Sequence, residues 1–489
     1  MIPVLLILIP LIAGCVAFML KSDKAAKSWS LLASLATLVV AVLGLTALKD
    51  YSYHHIDYPW LELLGSNFSL AQDGMGKMLT LLTAISYVAV FASTWKTEQP
   101  KSGAYHGFML LMQAGITGVF LAADFLLFYF FWELALIPAY FLCSGWGGER
   151  RIQVTIKFFI YTFIGSLFML VGILILYFKT TTHDFALTSF YQNIFVPAKE
   201  QSWLFWLFFI AFAIKMPIFP FHTWQPDTYE QAPIGTTMIL SGVMVKMGIF
   251  GVIKWLAPIL PTATWAWGDT VSWLCIIGMI YASLLAMVQD SLRRLVAYSS
   301  IAHIGLMCLA IFSTTDQGMN GVMIQMFNHG INVIGLWIIV GYIEKQFGTA
   351  KISELGGIAQ KAPVLSILLV VFSLANIALP LTNSFVGEFL MFSGVYNSTI
   401  TKFSTLFTAC AIVSIILAAV YTLNMLRRVL FGDMNANTVN AVDMSMNYKL
   451  VLSVFVIIIL ALGVYPQPFF ELTSDTVTNI LSRMITKTP

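Results

Sequence analysis

The chain has 489 residues, of which 59% are hydrophobic and only 10% charged, and its formal net charge is +3. A soluble protein carries charge on about a quarter of its residues, so a water-soluble fold is excluded, and the small net charge points to no nucleic-acid partner. Apolar runs of about 20 residues, enough to cross a bilayer, recur from end to end and predict a multi-pass membrane protein.

In chain order the runs predict about fourteen transmembrane helices: 2–20, 28–48, 74–95, 106–122, 125–143, 156–178, 203–221, 235–256, 271–288, 295–313, 319–342, 364–394 (interrupted), 404–426 and 450–468. The first lacks a basic leader and reads as a span that also targets the chain, with no signal peptide to remove. Connections are short, so the expected fold is all-α and one transmembrane domain. It divides into N-terminal helices (1–105), two half-channels (106–260 and 271–430) and a C-terminal helix (431–489). The side holding Lys21, Lys24, Lys27, Arg150, Arg151, Arg293 and Arg294 carries twice as many basic residues as the side holding Lys49, Lys179, Lys254 and Lys487. Positive loops stay inside, which predicts both termini outside the cytoplasm.

Two spans contain proline at depth: Pro217 and Pro220 in FAIKMPIFPFHTW, and Pro380 in FSLANIALPLTNSFVGEFLMF. Proline removes a backbone donor, and the freed carbonyls must face protein or a wet cavity. Pro217 and Pro380 are about five spans apart, an odd number, so their surroundings have opposite topology. Two inverted five-helix repeats, each with a broken helix, are the expected arrangement; a harmless kink is the alternative for either one alone.

Cys15, Cys143, Cys275, Cys308 and Cys410 are scattered through apolar segments with no paired spacing. Structural zinc and iron–sulfur clusters need about four grouped ligands, so the expectation is buried thiols and no cofactor or metal in this chain. No glycine-rich loop follows a strand, so no nucleotide site is expected.

Six ionisable residues fall inside spans, one per helix: Glu133, Lys215, Lys246, His303, His329 and Glu388. A charged group at a helix centre costs roughly 2.5–3.5 kcal/mol by insertion scales. The four that are charged at neutral pH would together cost on the order of 10 kcal/mol against lipid, comparable to the whole stability of a domain. They must face each other or enclosed water. Pairs that glue helices together are one reading; a proton relay is the other, and six sites on six helices favour it. A buried lysine gives up its proton more readily as a carboxylate moves away, so Glu133 approaching Lys215 would make a switch beside the hinge at Pro217. His222, Asp227 and Glu230 follow on the cytoplasmic side and are candidates for a proton entrance or for a solvated loop. Asp73 reads as a helix cap, and Arg293 and Arg294 as anchors of a helix end.

The runs WELALIPAYFL, KFFIYTFIGSLFMLVGI, AFAIKMPIFPFHTWQPDTYEQAP, AYSSIAHIG, NHGI and LPLTNSFVGEF resemble the antiporter-like membrane subunits of respiratory complex I, over about residues 70–430. The family also includes Mrp-type sodium/proton antiporter and membrane-bound hydrogenase subunits. Within it the chain looks most like the chain M type, because Glu388 stands where the chain L and chain N types usually carry lysine. The resemblance implies proton translocation along Glu133, Lys215, Lys246, His303, His329 and Glu388. It implies redox chemistry in partner subunits that hold flavin, iron–sulfur clusters and quinone, chain L and chain N type neighbours, and a bacterial inner membrane. Departures are Leu381, where the family often has glycine, and Tyr229, where it often has histidine.

Overall fold

The computed structural model describes residues 1–46, 54–192 and 196–485; Lys49 and Lys487, used above for orientation, lie outside them. Helices dominate, as expected. Among the described residues eleven helices are long and apolar enough to cross a membrane. The chain opens with α1 (Ile2–Ala17) and α2 (Asp23–Thr46). A two-stranded hairpin follows, β1 (His55–Leu61) with β2 (Ser66–Ala71), antiparallel with Tyr58 opposite Phe68. No element was expected there. Its turn needs Gly65: φ is +67°, and a Cβ would lie 2.6 Å from the His183 carbonyl oxygen, a conformation and an approach only glycine tolerates.

Next come α3 (Gly74–Ser93), α4 (Ser102–Leu121), α5 (Phe125–Trp146), α6 (Arg151–Lys179) and the short α7 (Leu187–Gln192). Asp124 is buried at the N-terminus of α5, where its carboxylate accepts from the amides of Leu126, Leu127 and Asn67 and from the Ser66 hydroxyl. One side chain thus caps the helix that carries Glu133 and fastens the hairpin to it. Asp73 caps α3 as predicted, accepting from Gly76 N at 2.7 Å. It also pairs with Lys254 at 3.0 Å. Lys254, counted toward water at the outer end of the predicted span 235–256, is buried there.

The seventh span is broken: α8 (Ala198–Lys215) stops just before Pro217, and the chain resumes as α9 (Trp224–Gln231). The rod after it runs over Ile234–Leu256 as α10 (Ile234–Ile239), a π segment (Leu240–Met244), α11 (Lys246–Gly251) and a second π segment (Val252–Leu256). Then follow α12 (Pro261–Met287), α13 (Leu292–Phe312) and α14 (Asp316–Phe347). The twelfth span is also broken, into α15 (Pro363–Asn376) and α16 (Asn383–Tyr396), with Pro380 in the gap. The chain closes with α17 (Ser404–Leu430), α18 (Met446–Val464) and α19 (Gln467–Ile485). α19 was missed in the sequence. It buries Thr476, Val477, Ile480, Leu481 and Met484 along one stripe, the spacing of an amphipathic helix, but is too polar to read as a span.

The core is thickest around the rod, α13 and α14, whose apolar windows are wholly buried. By contrast α5 and α6 present Phe130, Ile137, Ile156, Ile160 and Phe163 outward, a surface that suits lipid or a neighbouring apolar chain. Cys143, Cys275 and Cys308 are buried, but Cys15 is exposed and Cys410 half-buried, so the expectation of buried thiols holds for three of five.

Candidate proton-relay site

Four of the six predicted relay residues form one connected line. Lys246 Nζ lies 2.7 Å from His329 Nδ1 and donates to the Ser241 carbonyl at 3.1 Å. His329 Nε2 is 3.2 Å from Ser300 Oγ, and the His329 and His303 rings are 5.8 Å apart, centre to centre. His303 Nδ1 then lies 3.1 Å from Glu388 Oε1, which Gln325 also approaches at 3.5 Å. All four relay side chains are buried. An ammonium bonded to imidazole, an imidazole beside imidazole, and an imidazole on a carboxylate make a series of sites that each take and give a proton. Ser300 and water can bridge the 5.8 Å gap between rings.

Close helix crossings create this line. A Cβ on Gly242 would lie 2.5 Å from Ile334, and one on Gly330 would lie 2.9 Å from the Gly242 carbonyl oxygen. The absence of side chains there brings the Lys246 rod against α14 and its neighbour His329. On the far side of α14, a Cβ on Gly387 would meet Gln325 at 2.4 Å, so α16 carries Glu388 in at similarly close range.

The other two residues are arranged differently. The Lys215 ammonium is buried and has no hydrogen-bond partner, and neither has Glu133 Oε1. The predicted Glu133–Lys215 pair is therefore open. Lys215 instead sits 5.3 Å from the centre of the Trp132 ring, within cation–π range, and Glu133, one residue on, is the least enclosed of the six. The two groups still feel each other's charge, because a low-dielectric interior lengthens the reach of Coulomb forces.

Both prolines lie at the helix breaks. After α8, Ile218 N reaches back to the Ala213 carbonyl at 2.8 Å, and the Trp224 indole donates to the Ile214 carbonyl at 2.9 Å. At the second break, Asn328 donates to the Asn383 carbonyl at 2.7 Å, and Asn332 to Asn383 Oδ1 at 3.0 Å and Ser384 Oγ at 2.8 Å. Asn376 reaches Ser299 at 3.0 Å, and Tyr421 bonds the same hydroxyl at 2.9 Å. The asparagines were missed, although Asn328 and Asn332, one turn apart in an apolar helix, are the signal that would have found them.

Asp227 does not join the relay. It is bound by Lys157 at 2.8 Å and Arg294 at 3.0 Å, while Glu230 binds Arg150 at 3.0 Å and Arg294 at 3.3 Å. His222 is buried beside Phe219 and Tyr281, its Nδ1 without a partner among the described residues. Arg294 starts α13, as expected of an anchor, and Arg293 ties that end to Glu344 and to the carbonyls of Glu230 and Ala232.

Residues 122–414 match the model of the NADH:quinone oxidoreductase/Mrp antiporter transmembrane family. The chain belongs to this family. Among curated relatives it is 36% identical to NADH-quinone oxidoreductase subunit M of Rickettsia bellii over 87% of this chain and 85% of that one. It is 32% identical to F(420)H(2) dehydrogenase subunit M of Methanosarcina mazei over 99% of both. A chain of respiratory complex I from Thermus thermophilus with bound NADH superposes with a TM-score of 0.91 at 25% identity, covering 99% of this chain and 100% of that one. In a family named for both oxidoreductases and antiporters, the buried Lys–His–His–Glu line is the feature whose chemistry suits ion movement across the membrane.

Proposed function

We propose that this chain is a proton-translocating membrane subunit, of the chain M type, of a bacterial NADH:quinone oxidoreductase, embedded in the cell inner membrane with both termini outside the cytoplasm. The observation that carries the reading is the buried run from Lys246 through His329 and His303 to Glu388 on four helices, with close polar contacts at both ends and 5.8 Å between the two imidazole rings. Flavin, iron–sulfur clusters and quinone belong to partner subunits, and the apolar outer faces of α5 and α6 suit a chain L or chain N type neighbour. A charge change arriving from such a neighbour reaches Glu133 first, because that residue is the least enclosed of the six. As Glu133 approaches Lys215 the ammonium is held; as it withdraws, Lys215 releases its proton inward to Lys246, and protons leave beside Glu388.

A tagged chain gently extracted from native membranes tests the assignment. Recovery with NADH-oxidising flavin and cluster subunits supports it. Recovery only with small membrane proteins lacking redox centres favours an Mrp-type antiporter, and hydrogenase subunits favour the hydrogenase branch. The resemblance to an F(420)H(2) dehydrogenase subunit makes a different electron donor the second reading. In that case the proton line is unchanged and NADH fails to drive it.

A further inference from the structure

We propose that the groove between α15 and the end of α17 on the Arg-rich side binds one anionic phospholipid of that leaflet, its acyl chain lying along α15 and its phosphate held by Lys361 and Arg427. The inference goes beyond the proton-translocating reading and stands or falls separately from it.

α15 is held at its two ends. On the Arg-rich side the Asp443 carboxylate accepts from the amides of Val364 and Leu365 at 3.1 and 2.9 Å. At the break, Asn376 donates to Ser299 at 3.0 Å. Between these ends its outward face is bare: Ile367 is 62% exposed. A cavity of about 340 Å³ opens along that face, lined by Pro363, Ile367, Val370, Val371, Leu430 and Phe431 among others. Its walls are hydrocarbon, so water gains nothing there and a run of methylenes does.

Charge at the rim singles this groove out from other apolar surface. Arg427 stands one turn before Leu430 and Phe431 and shares their face of α17; Lys361 lies just before Pro363. The two walls are tied there, with Gln360 Nε2 donating to the Gly432 carbonyl at 3.3 Å. Arg428 is engaged by Asp290 at 3.3 Å, and Asp443 by the amides above. Arg427 donates to the neutral Asn424 side chain at 3.1 Å, and Lys361 is exposed. Asp433 is an exposed acid nearby, and the two cations leave the rim net positive. An anionic headgroup brings its phosphate to both cations. A zwitterionic one also brings an ammonium against them. A lipid seated in the groove backs α15 against the break where Asn376 meets Ser299.

The test is photolabelling of the whole complex in phosphatidylethanolamine vesicles that carry a trace of phosphatidylglycerol with a photoreactive group midway along its acyl chain. A matched phosphatidylethanolamine probe runs in parallel, and labelled peptides are read by mass spectrometry. The expected result is label on residues 363–371 and 427–431, with phosphatidylglycerol favoured by roughly tenfold, the order that two basic residues at a membrane surface supply. Lys361→Gln with Arg427→Gln, checked for assembly on native gels, should abolish the preference while labelling at the exposed Ile412 and Ile416 farther along α17 stays the same. If the double variant does not assemble, Lys361→Gln alone is read the same way, with a severalfold fall expected. Equal labelling by both probes in the unaltered complex overturns the site and leaves ordinary boundary lipid. Absence of label from either also overturns it, because a neighbouring subunit then covers the groove. A preference that survives the substitutions overturns the assignment of the headgroup to Lys361 and Arg427.

Discussion

At the break between α8 and α9 a single indole covers one freed carbonyl, and the neighbouring Lys215 ammonium has no hydrogen bond at all. At the break between α15 and α16, two asparagines of α14 dress the backbone carbonyls of Asn383 and Ala375, and Glu388 is bonded to His303 and Gln325. The first break holds its charge loosely beside an aromatic face; the second holds it in a network. A loosely held charge moves when the local field changes, and a networked one transmits what arrives. The difference suits the first break to switching and the second to conduction.

The sharpest way to break this comparison is at the switch. Glu133→Ala and Lys215→Ala should each lower energy-coupled pumping by roughly 10²-fold or more in complexes that still assemble, measured as the proton gradient formed per NADH oxidised. Near-normal gradients would take the switch out of the first half. Next comes the network. His329→Ala leaves Lys246 without its imidazole but with the Ser241 carbonyl, so the same assay should show a clear but smaller loss. A loss as deep as that of Lys215→Ala would mean both halves switch.

Smaller effects test the breaks themselves. Trp224→Phe strips the donor from the Ile214 carbonyl and should cost about 1–3 kcal/mol, seen as a lower melting temperature of the purified complex; no change would mean water covers that carbonyl equally well. Leu381 lies at φ +72°, where an ordinary residue pays about 1–2 kcal/mol. Leu381→Gly relieves that strain but loosens the unfolded chain, so a gain of under about 1 kcal/mol is expected.

The smallest effect concerns pH. Burial works to raise the Asp227 pKa, but the bonds from Lys157 and Arg294 outweigh it and hold the carboxyl below its usual value. A lowered folded pKa stabilises above the unfolded value and is lost as pH falls through the folded one. The Asp227 cluster should therefore be indifferent to pH across neutrality and loosen only below about pH 4. Asp227→Asn should remove that acid-dependent part of the melting curve.

Lys215, Lys246, Glu388 and the two prolines were legible because charge and helix-breakers stand out against apolar runs. The hairpin was not: HIDYPWL contains a proline, and its fastening to Asp124 is a tertiary contact with no local signature. Lys254 was misassigned because a lysine near a span end usually reaches water, whereas here Asp73 draws it inside. The open Glu133–Lys215 pair could not be read at all, because spacing along a chain does not set separation across helices.

The rod that carries Lys246 contains two π segments, Leu240–Met244 and Val252–Leu256. Each winds more residues into a turn than an α-helix does, so together they set the angular phase of everything between and beyond them. In the first, the Val245 amide reaches the Leu240 carbonyl five positions back at 3.3 Å. Wind the same five residues Leu240–Met244 as α, with none removed, and each position downstream turns by about 100° relative to α10. Lys246 would then point away from α14, with its chemistry intact and its direction lost.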